Sequence, residues 1–192
     1  MISVAGYAES QFDTFCNKFP LLSFPIVSDS LYYFQLNQKT SITEEEFYNY
    51  IQTTRWNEFQ KATDSLLHIL HYVPIGRIEY QSYIVLFVNC NYMPQPEYYK
   101  DTDIGAYENL LCIYTKDGHR TDSIIFSSYC SISNKDGKFS LTWNSKMPVT
   151  ADFGAFYSNG KIVITRYKNN ESTPYRTDTF CIDINSGRIV AP

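Results

Sequence analysis

The chain has 192 residues, enough for one well-packed hydrophobic core, and we expect a single domain over 1–192 in which residues 1–10 precede the first element. A hydrophobic content of 44% and a charged content of 19% exclude an intrinsically disordered protein. The net charge is −4 without any run of Lys or Arg, which argues against nucleic-acid binding because phosphate neutralisation needs clustered cations.

Two short helices are predicted near the N-terminus, each from a capping box. Ser10 with Asp13 begins the first helix, which Pro20 is expected to end. Thr43 with Glu46 begins the second, and three consecutive glutamates suit the positive end of its dipole. The β-branched pair Thr53-Thr54 is expected to end it. Their apolar stripes consist of Phe12, Phe15, Cys16 and Phe19 in the first helix, and of Phe47, Tyr50 and Ile51 in the second. Residues 24–27 and 31–36 between them read as extended runs.

The middle of the chain is harder to interpret. Residues 55–72 fit an amphipathic helix, although 66–73 fit a strand equally well, and Pro74 with Gly76 is expected to end either element. Residues 77–80 and 83–90 read as strands around a tight Gln81-Ser82 turn, and the second is apolar on both faces, as in a central strand. The polar, proline-containing stretch 91–105 is predicted to be a long loop that is either functional or mobile.

Turn-forming dipeptides recur in the second half of the chain, between apolar runs. They are Asp117-Gly118, Asp136-Gly137, Asn159-Gly160 and Ser186-Gly187. Two-residue turns at these sites would join antiparallel strands. They would pair Ile132 with Leu141, Cys130 with Trp143, Asn134 with Phe139, Tyr157 with Ile162, Ala155 with Ile164, and Ile184 with Ile189. The predicted fold is therefore α+β and mainly β: an antiparallel meander, as an open barrel or sandwich, with short N-terminal helices covering one face or one end.

Five cysteines are an odd number without a C-x-x-C motif, which argues against a disulfide framework and a structural zinc site. Cys16, Cys90, Cys112, Cys130 and Cys181 are expected to be mostly unreactive thiols of the core. His68-x-x-His71 would offer two metal ligands on a helix, although two partly buried histidines are the more ordinary interpretation. His119, at a hairpin tip beside Arg120, is expected to be solvated.

Asp101-x-Asp103, followed by Gly105 and Glu108, resembles part of a calcium-binding loop, but Cys112 stands where that loop needs its bidentate glutamate. A solvated polar loop is the alternative. We predict no metal ion or other cofactor and assign no catalytic residue, because the chain has no nucleophile elbow, phosphate-binding glycine loop or HExxH motif.

The aromatic content is high, with Tyr 17, Phe 13 and Trp 2, and it serves either strand packing or an aromatic ligand-binding face. We therefore expect a non-catalytic binding protein with a protein or a glycan as its partner. The alternative is a glycan or peptide hydrolase with a carboxylate pair ~5–10 Å apart, whereas a flat aromatic patch would favour binding. A third hypothesis is a structural subunit that pairs through a sheet edge, and the oligomeric state stays open.

Four segments carry a resemblance: YVPIGRI (72–78), YIVLF (83–87), LCIYTKDG (111–118) and TDSII (121–125). They resemble a loose group of small bacterial proteins, many of them exported lipoproteins. The resemblance implies a β-rich fold and an envelope location, and it transfers no catalytic residue. Cys16 follows Asp13-Thr14-Phe15 rather than the small residues of a lipidation site. Residues 1–10 lack the charged and apolar regions of a secretory signal, although 4–8 are small as at the end of one, so cytoplasmic and exported locations both stay open. No apolar stretch approaches the ~20 residues of a membrane-spanning helix.

Overall fold

The computed structural model of the chain describes residues 10–28, 31, 40–51, 67–94, 102–134, 150–168 and 172–192. Both predicted capping boxes are present and begin the two helices. Helix α1 spans Gln11–Cys16 behind Ser10, and α2 spans Glu44–Glu46 behind Thr43 and continues as a π-helical turn over Phe47–Ile51. In each box the cap oxygen accepts a backbone N–H from the third helical residue, whose carboxylate accepts the N–H of the cap.

Helix α1 ends earlier than predicted, at Cys16 rather than at Pro20. The N–H groups of Lys18 and Phe19 bond to carbonyls three residues back, which tightens the chain into turns before the proline is reached. The predicted end of the second helix near residues 53–54 and the extended run 31–36, apart from Leu31, lie outside the described residues. Of the helices in the described part of the chain, none combines the length and apolar character that crossing a membrane requires.

Strands make up most of the described structure. They are β1 (Ile26–Val27), β2 (Leu67–Tyr80), β3 (Tyr83–Pro94), β4 (Thr102–Thr115), β5 (Arg120–Asn134), β6 (Thr150–Phe156), β7 (Lys161–Lys168), β8 (Arg176–Ile182) and β9 (Ile189–Val190). Strands β2 to β9 follow one another in a single sheet in chain order, each antiparallel to the next, and β1 pairs with β6. The predicted antiparallel meander is confirmed.

The central strands β3 and β4 are buried on both faces, as the apolar run of residues 83–90 predicts. One face contributes Leu86, Val88, Cys90, Leu110, Cys112 and Tyr114, which pack against residues of α1 and of the π-helical turn that continues α2. The other contributes Val85, Phe87, Leu111 and Ile113, which pack with Phe156, Ile162 and Ile164 of β6 and β7. The prediction that the N-terminal helices cover one face is confirmed, and strands β6 and β7 cover the other.

The segment that follows α1 connects two distant strands of the sheet. The Arg77 N–H donates to the Pro20 carbonyl at 2.8 Å, and the Leu22 N–H donates to the Arg77 carbonyl at 2.9 Å. Further along the same segment, Ile26 pairs with Phe156 of β6. Residues 20–27 therefore bond first to β2, at one end of the sheet, and then to β6.

Strand β2 passes through the point where the sequence predicted an end. It runs from Leu67 to Tyr80 across Pro74 and Gly76, with a shift of register between these two residues. Because β2 is the first strand of the sheet order, Pro74 needs no N–H for a second long strand, and a register shift absorbs the irregularity. The strand interpretation of residues 67–73 is thus correct, and residues 52–66 lie outside the description.

The long loop predicted over 91–105 is wrong at both ends. Strand β3 continues to Pro94 and β4 begins at Thr102, so that Tyr92 pairs with Ala106. Pro94 and the polar residues at the two ends of this stretch are not typical of a strand. They form strands because the neighbouring strands supply hydrogen-bond partners for their backbone. Residues 95–101 lie outside the description.

The predicted two-residue Gln81-Ser82 turn is confirmed, since Tyr80 pairs with Tyr83. The turns that contain Gly118, Gly160 and Gly187 are at the predicted places but are longer than two residues. The pairs Phe156–Ile162 and Ile182–Ile189 are found, so the predicted pairs Tyr157–Ile162, Ala155–Ile164 and Ile184–Ile189 are wrong by one or two residues. In each of the turns at Gly118, Gly160 and Gly187, the glycine is the one residue with positive φ, at 88°, 82° and 65° respectively. A two-residue turn of the predicted type needs two such residues. The Asp136-Gly137 turn and its pairings lie outside the described residues.

Candidate functional site

Strands β6, β7 and β8 separate their side chains into an inner and an outer set. The inner residues Phe156, Ile162 and Ile164 are completely buried in the core. The residues between them point the other way, because successive side chains of a strand alternate between faces. Phe153, for example, is 42% exposed.

The outer residues form three neighbouring rows across the strands. The middle row pairs Phe153 with Thr165 and Thr165 with Thr177, and the rows on either side are in register with it. We call this surface the aromatic–threonine face; its residues are Ala151, Phe153, Ala155, Val163, Thr165, Tyr167, Thr177 and Thr179. None of these eight residues carries a formal charge, although the next outer row, in which Lys161 pairs with Cys181, adds one exposed cation at the edge of the face.

Two aromatic rings give this face its most distinctive feature. The rings of Phe153 and Tyr167 lie 5.6 Å apart between centroids with an interplanar angle of 85°, an edge-to-face pair. This arrangement holds one ring against the edge of the other and so restricts both side chains. The face is accordingly a flat, neutral surface with two oriented rings and threonine hydroxyls beside them.

The inner side of the same strands ends in an ion network. Arg166 forms ion pairs with Asp152 and, at 3.0 Å from its Nε, with Asp178. Arg176 also binds Asp178, at 2.7 Å. Hydrogen bonds from Arg166 and then Arg176 lower the pKa of Asp178 below its ordinary value, so this carboxylate is held in the ionised form. The two carboxylates share one guanidinium, which favours structural ion pairing over proton donation.

The cysteine thiols behave as the sequence predicts wherever their side chains are described. Cys16, Cys90 and Cys112 are free and buried, and Cys181 is free and partly exposed. Burial raises the pKa of Cys16 to about 12 and that of Cys112 to about 11, and it raises the pKa of Cys90 well above its usual range. Such thiols are poor nucleophiles at neutral pH. The side chain of Cys130 lies outside the described residues.

Neither of the two metal sites considered from the sequence is supported by the structure. His68 and His71 belong to strand β2, so they do not have the helical spacing on which a shared metal site depended. Asp103, Gly105 and Glu108 belong to β4, whose extended backbone is paired with β5 and cannot coil around a calcium ion. Within the part of the chain that is described, no three His, Cys, Asp or Glu residues are grouped so that they could hold a metal ion. His119 is exposed at its hairpin tip, as expected.

No family model, curated protein or solved structure matches this chain. The resemblance to small bacterial exported proteins therefore stays a prediction, and so does the envelope location that it implies.

The aromatic–threonine face was not identified from the sequence, although its signal is present. Residues 151–156 and 161–167 alternate between outer and inner positions, and Phe153 and Tyr167 occupy outer ones. The alternation within each strand is legible in the sequence. Which residues of the three strands share a row depends on the lengths of the connections between them. The β6–β7 turn was predicted one residue too short, and no length was predicted for the β7–β8 connection.

Proposed function

We propose that this chain is a non-catalytic binding protein whose partner is a neutral glycan lying on the aromatic–threonine face. The observation that supports this most directly is the edge-to-face pair of Phe153, which is exposed, and Tyr167, which is partly exposed, within three outer rows that carry no charged residue. Single exposed apolar residues are common on proteins, but an oriented aromatic pair within a neutral patch is typical of a binding surface.

The size of the face favours a glycan over a protein. Three strands at a spacing of about 4.8 Å, and about five residues along each at about 3.4 Å, cover roughly 250–300 Å². A stable protein complex buries about 800 Å² on each partner, so this face alone is too small for one. A short oligosaccharide needs no larger area.

The chemistry of the face also suits a sugar. The faces of aromatic rings carry the negative part of a quadrupole and attract the weakly positive C–H groups on one side of a pyranose. Thr165, Thr177 and Thr179 supply hydroxyls that both donate and accept hydrogen bonds, as sugar hydroxyls do. Their β-branched side chains have few rotamers, which lowers the entropy lost on binding.

The hydrolase alternative rests on a carboxylate pair. In the described residues Asp152 and Asp178 come together, on the opposite side of the same strands, but both bind Arg166. A glycosidase acid must hold a proton near neutral pH, whereas the pKa of Asp178 is lowered. Non-catalytic binding is therefore the better-supported proposal.

Titration calorimetry against a panel of neutral oligosaccharides tests the proposal, together with chromatography of the recovered sugar. We expect saturable binding of at least one oligosaccharide, which is recovered intact. The double variant Phe153→Ala/Tyr167→Ala should weaken that binding by a factor of ten or more, since it removes the apolar area of two rings, and burying such a side chain contributes about 1.5–3 kcal/mol.

The matched control is Tyr48→Ala, which removes an equally exposed aromatic residue (45%) from the π-helical turn. Equal losses in the control and the double variant would contradict the placement on this face. Cleavage of the bound sugar would favour the hydrolase. Saturable binding of a protein, abolished by the double variant and without any sugar binding, would favour the protein partner.

A further inference from the structure

A cleft of about 750 Å³ lies between two hairpin turns at a different place in the fold. One wall is the β4–β5 turn with His119 and Arg120, and the other is the β8–β9 turn with Asp183 and Arg188. Its volume is within the range of about 300–1,000 Å³ that is typical of small-molecule sites. None of these residues belongs to the aromatic–threonine face, so the argument is independent of the proposed function.

Two hydrogen bonds fasten the walls to each other. The Thr121 hydroxyl donates to the Gly187 carbonyl at 2.8 Å, and the Ile189 N–H donates to the Asp122 carboxylate at 2.8 Å. Thr121 and Asp122 directly follow the first turn, whereas Gly187 and Ile189 flank Arg188 in the second. The cleft is thus held open at a fixed width, which reduces the cost of ordering it around a ligand.

The cations of the cleft are available to a ligand. Arg120 donates from Nη1 to the Ile51 carbonyl at 2.6 Å and to the Tyr50 carbonyl at 3.4 Å, which fixes its guanidinium. Its Nε and Nη2 make no hydrogen bond within the described residues, and they form the unused edge. Arg188 is exposed. The ion pairs found within the described residues involve Lys18, Arg166 and Arg176, and none of them involves Arg120 or Arg188.

The carboxylate of the cleft lining, that of Asp183, already accepts hydrogen bonds from its own turn. The carboxylate of Asp183 accepts from the Ser186 hydroxyl at 2.6 Å and from the Asn185 N–H at 3.1 Å, within its own turn. These bonds, first that of Ser186, lower the pKa of Asp183, so it contributes one fixed negative charge. Two arginines and one carboxylate belong to the lining itself, and a second carboxylate, that of Asp122, lies between the walls where it accepts from the Ile189 N–H.

We propose that this cleft binds a small molecule through a carboxylate group, with Arg188 and the unused edge of the Arg120 guanidinium as the anchors. A guanidinium presents paired donors that match the two oxygens of a carboxylate. The carboxylates of Asp183 and Asp122 would repel a doubly charged phosphate more strongly than a monoanion, so a single carboxylate is the favoured group.

NMR titration of the ¹⁵N-labelled chain at constant ionic strength tests the proposal. The probes are glucuronate, N-acetylglycine and benzoate, each compared with its neutral methyl ester, and inorganic phosphate. At least one carboxylate should shift the amide signals of residues 119–122 and 188–190 saturably, and its ester should not. Arg188→Gln should weaken this binding about tenfold or more, since a charge-assisted hydrogen bond is lost.

The matched control is Arg176→Gln, which removes the same charge from an exposed arginine of β8 outside the cleft lining. It should leave the carboxylate affinity unchanged. Three results would overturn the proposal: no saturable shift with any carboxylate, equal losses in the two variants, or tighter binding of phosphate. The oligosaccharide experiment with Phe153 and Tyr167 can fail or succeed independently of all three.

Discussion

The hydroxyl of Tyr114, a completely buried residue one position before the end of β4, donates a 2.7 Å hydrogen bond to the backbone carbonyl of Tyr50 in the π-helical turn. It links two parts of the chain that are 64 residues apart in sequence. Because Arg120 also bonds to this turn, through the Ile51 carbonyl, the helical layer is attached to the sheet by polar contacts as well as by its apolar core.

We expect Tyr114→Phe to lower the free energy of unfolding by about 1–2 kcal/mol. The substitution preserves the packing of the ring but removes the shorter of two hydrogen bonds to the part-buried Tyr50 carbonyl, which within the described residues keeps only the 3.4 Å bond from Arg120 Nη1. Urea denaturation measures the change. Tyr157→Phe is the control, because Tyr157 is 40% exposed and its hydroxyl can bond to water. Equal effects of the two substitutions would contradict a contribution from the Tyr50 contact.

A row of buried, hydrogen-bonded polar side chains, which we call the polar ladder, crosses strands β3, β4 and β5. We expect alanine substitutions at two of its positions to differ in their cost to stability. The Asn89 side-chain amide donates to Asn109 at 2.7 Å, and the Asn109 amide donates to Ser127 at 2.8 Å. Asn109→Ala removes the partner of both neighbours and should destabilise the fold by about 2–4 kcal/mol.

Asn89→Ala should cost less than Asn109→Ala, because it removes the partner of one neighbour only. It also removes a buried oxygen, Asn89 Oδ1, that has no hydrogen-bond partner within the described residues. Chemical denaturation of both variants under the same conditions ranks them. The reverse order would show that the ladder is not the source of the stability.

The turn between β6 and β7 predicts a strong effect at Gly160. Its φ of +82° is in the left-handed region, and a Cβ atom there would collide with the hydroxyl of Tyr80. Gly160→Ala should therefore destabilise the fold by about 2 kcal/mol or more. Ser158→Ala changes an exposed residue of the same turn and should have little effect, and thermal unfolding of the two variants provides the comparison.

The buried thiols predict a loss of stability in alkaline solution. Burial raises the pKa of Cys112 to about 11 and that of Cys16 to about 12, from an ordinary value of 9.0. The folded chain therefore retains protons that the unfolded chain releases, so the stabilising contribution is complete below pH 9 and is lost as pH rises toward 11–12. Each thiol contributes up to about 1.4 kcal/mol per pH unit in this interval.

Denaturation midpoints measured from pH 8 upward test this prediction. Cys112→Ala should be less stable than the unmodified chain at pH 8, because it leaves a cavity, but its stability should fall less steeply above pH 9. If the stability of Cys112→Ala and that of the unmodified chain fall equally steeply above pH 9, the Cys112 thiol is not a source of the alkaline loss. Alkylation of the native protein followed by mass spectrometry should also modify the partly exposed Cys181 before Cys16, Cys90 or Cys112.

The sequence alone determined the local features that depend on nearest neighbours along the chain. The Ser10–Asp13 and Thr43–Glu46 boxes set the start of both helices because the bonds that form a cap lie within three residues. Turn residues located the hairpins for the same reason, and a strand apolar on both faces, residues 83–90, had to be central. Together they sufficed for an antiparallel meander with helices over one face.

Tertiary structure decided what depends on a partner distant in sequence. Pro74 continues a strand because β2 lies at the start of the sheet order, and residues 102–105 extend because β5 pairs with them. The aromatic–threonine face and the cleft arise in the same way. Phe153 shares a row with Thr177, and Thr121 meets Gly187, only once turn lengths fix the register, and a shift of one residue would place each side chain on the opposite face.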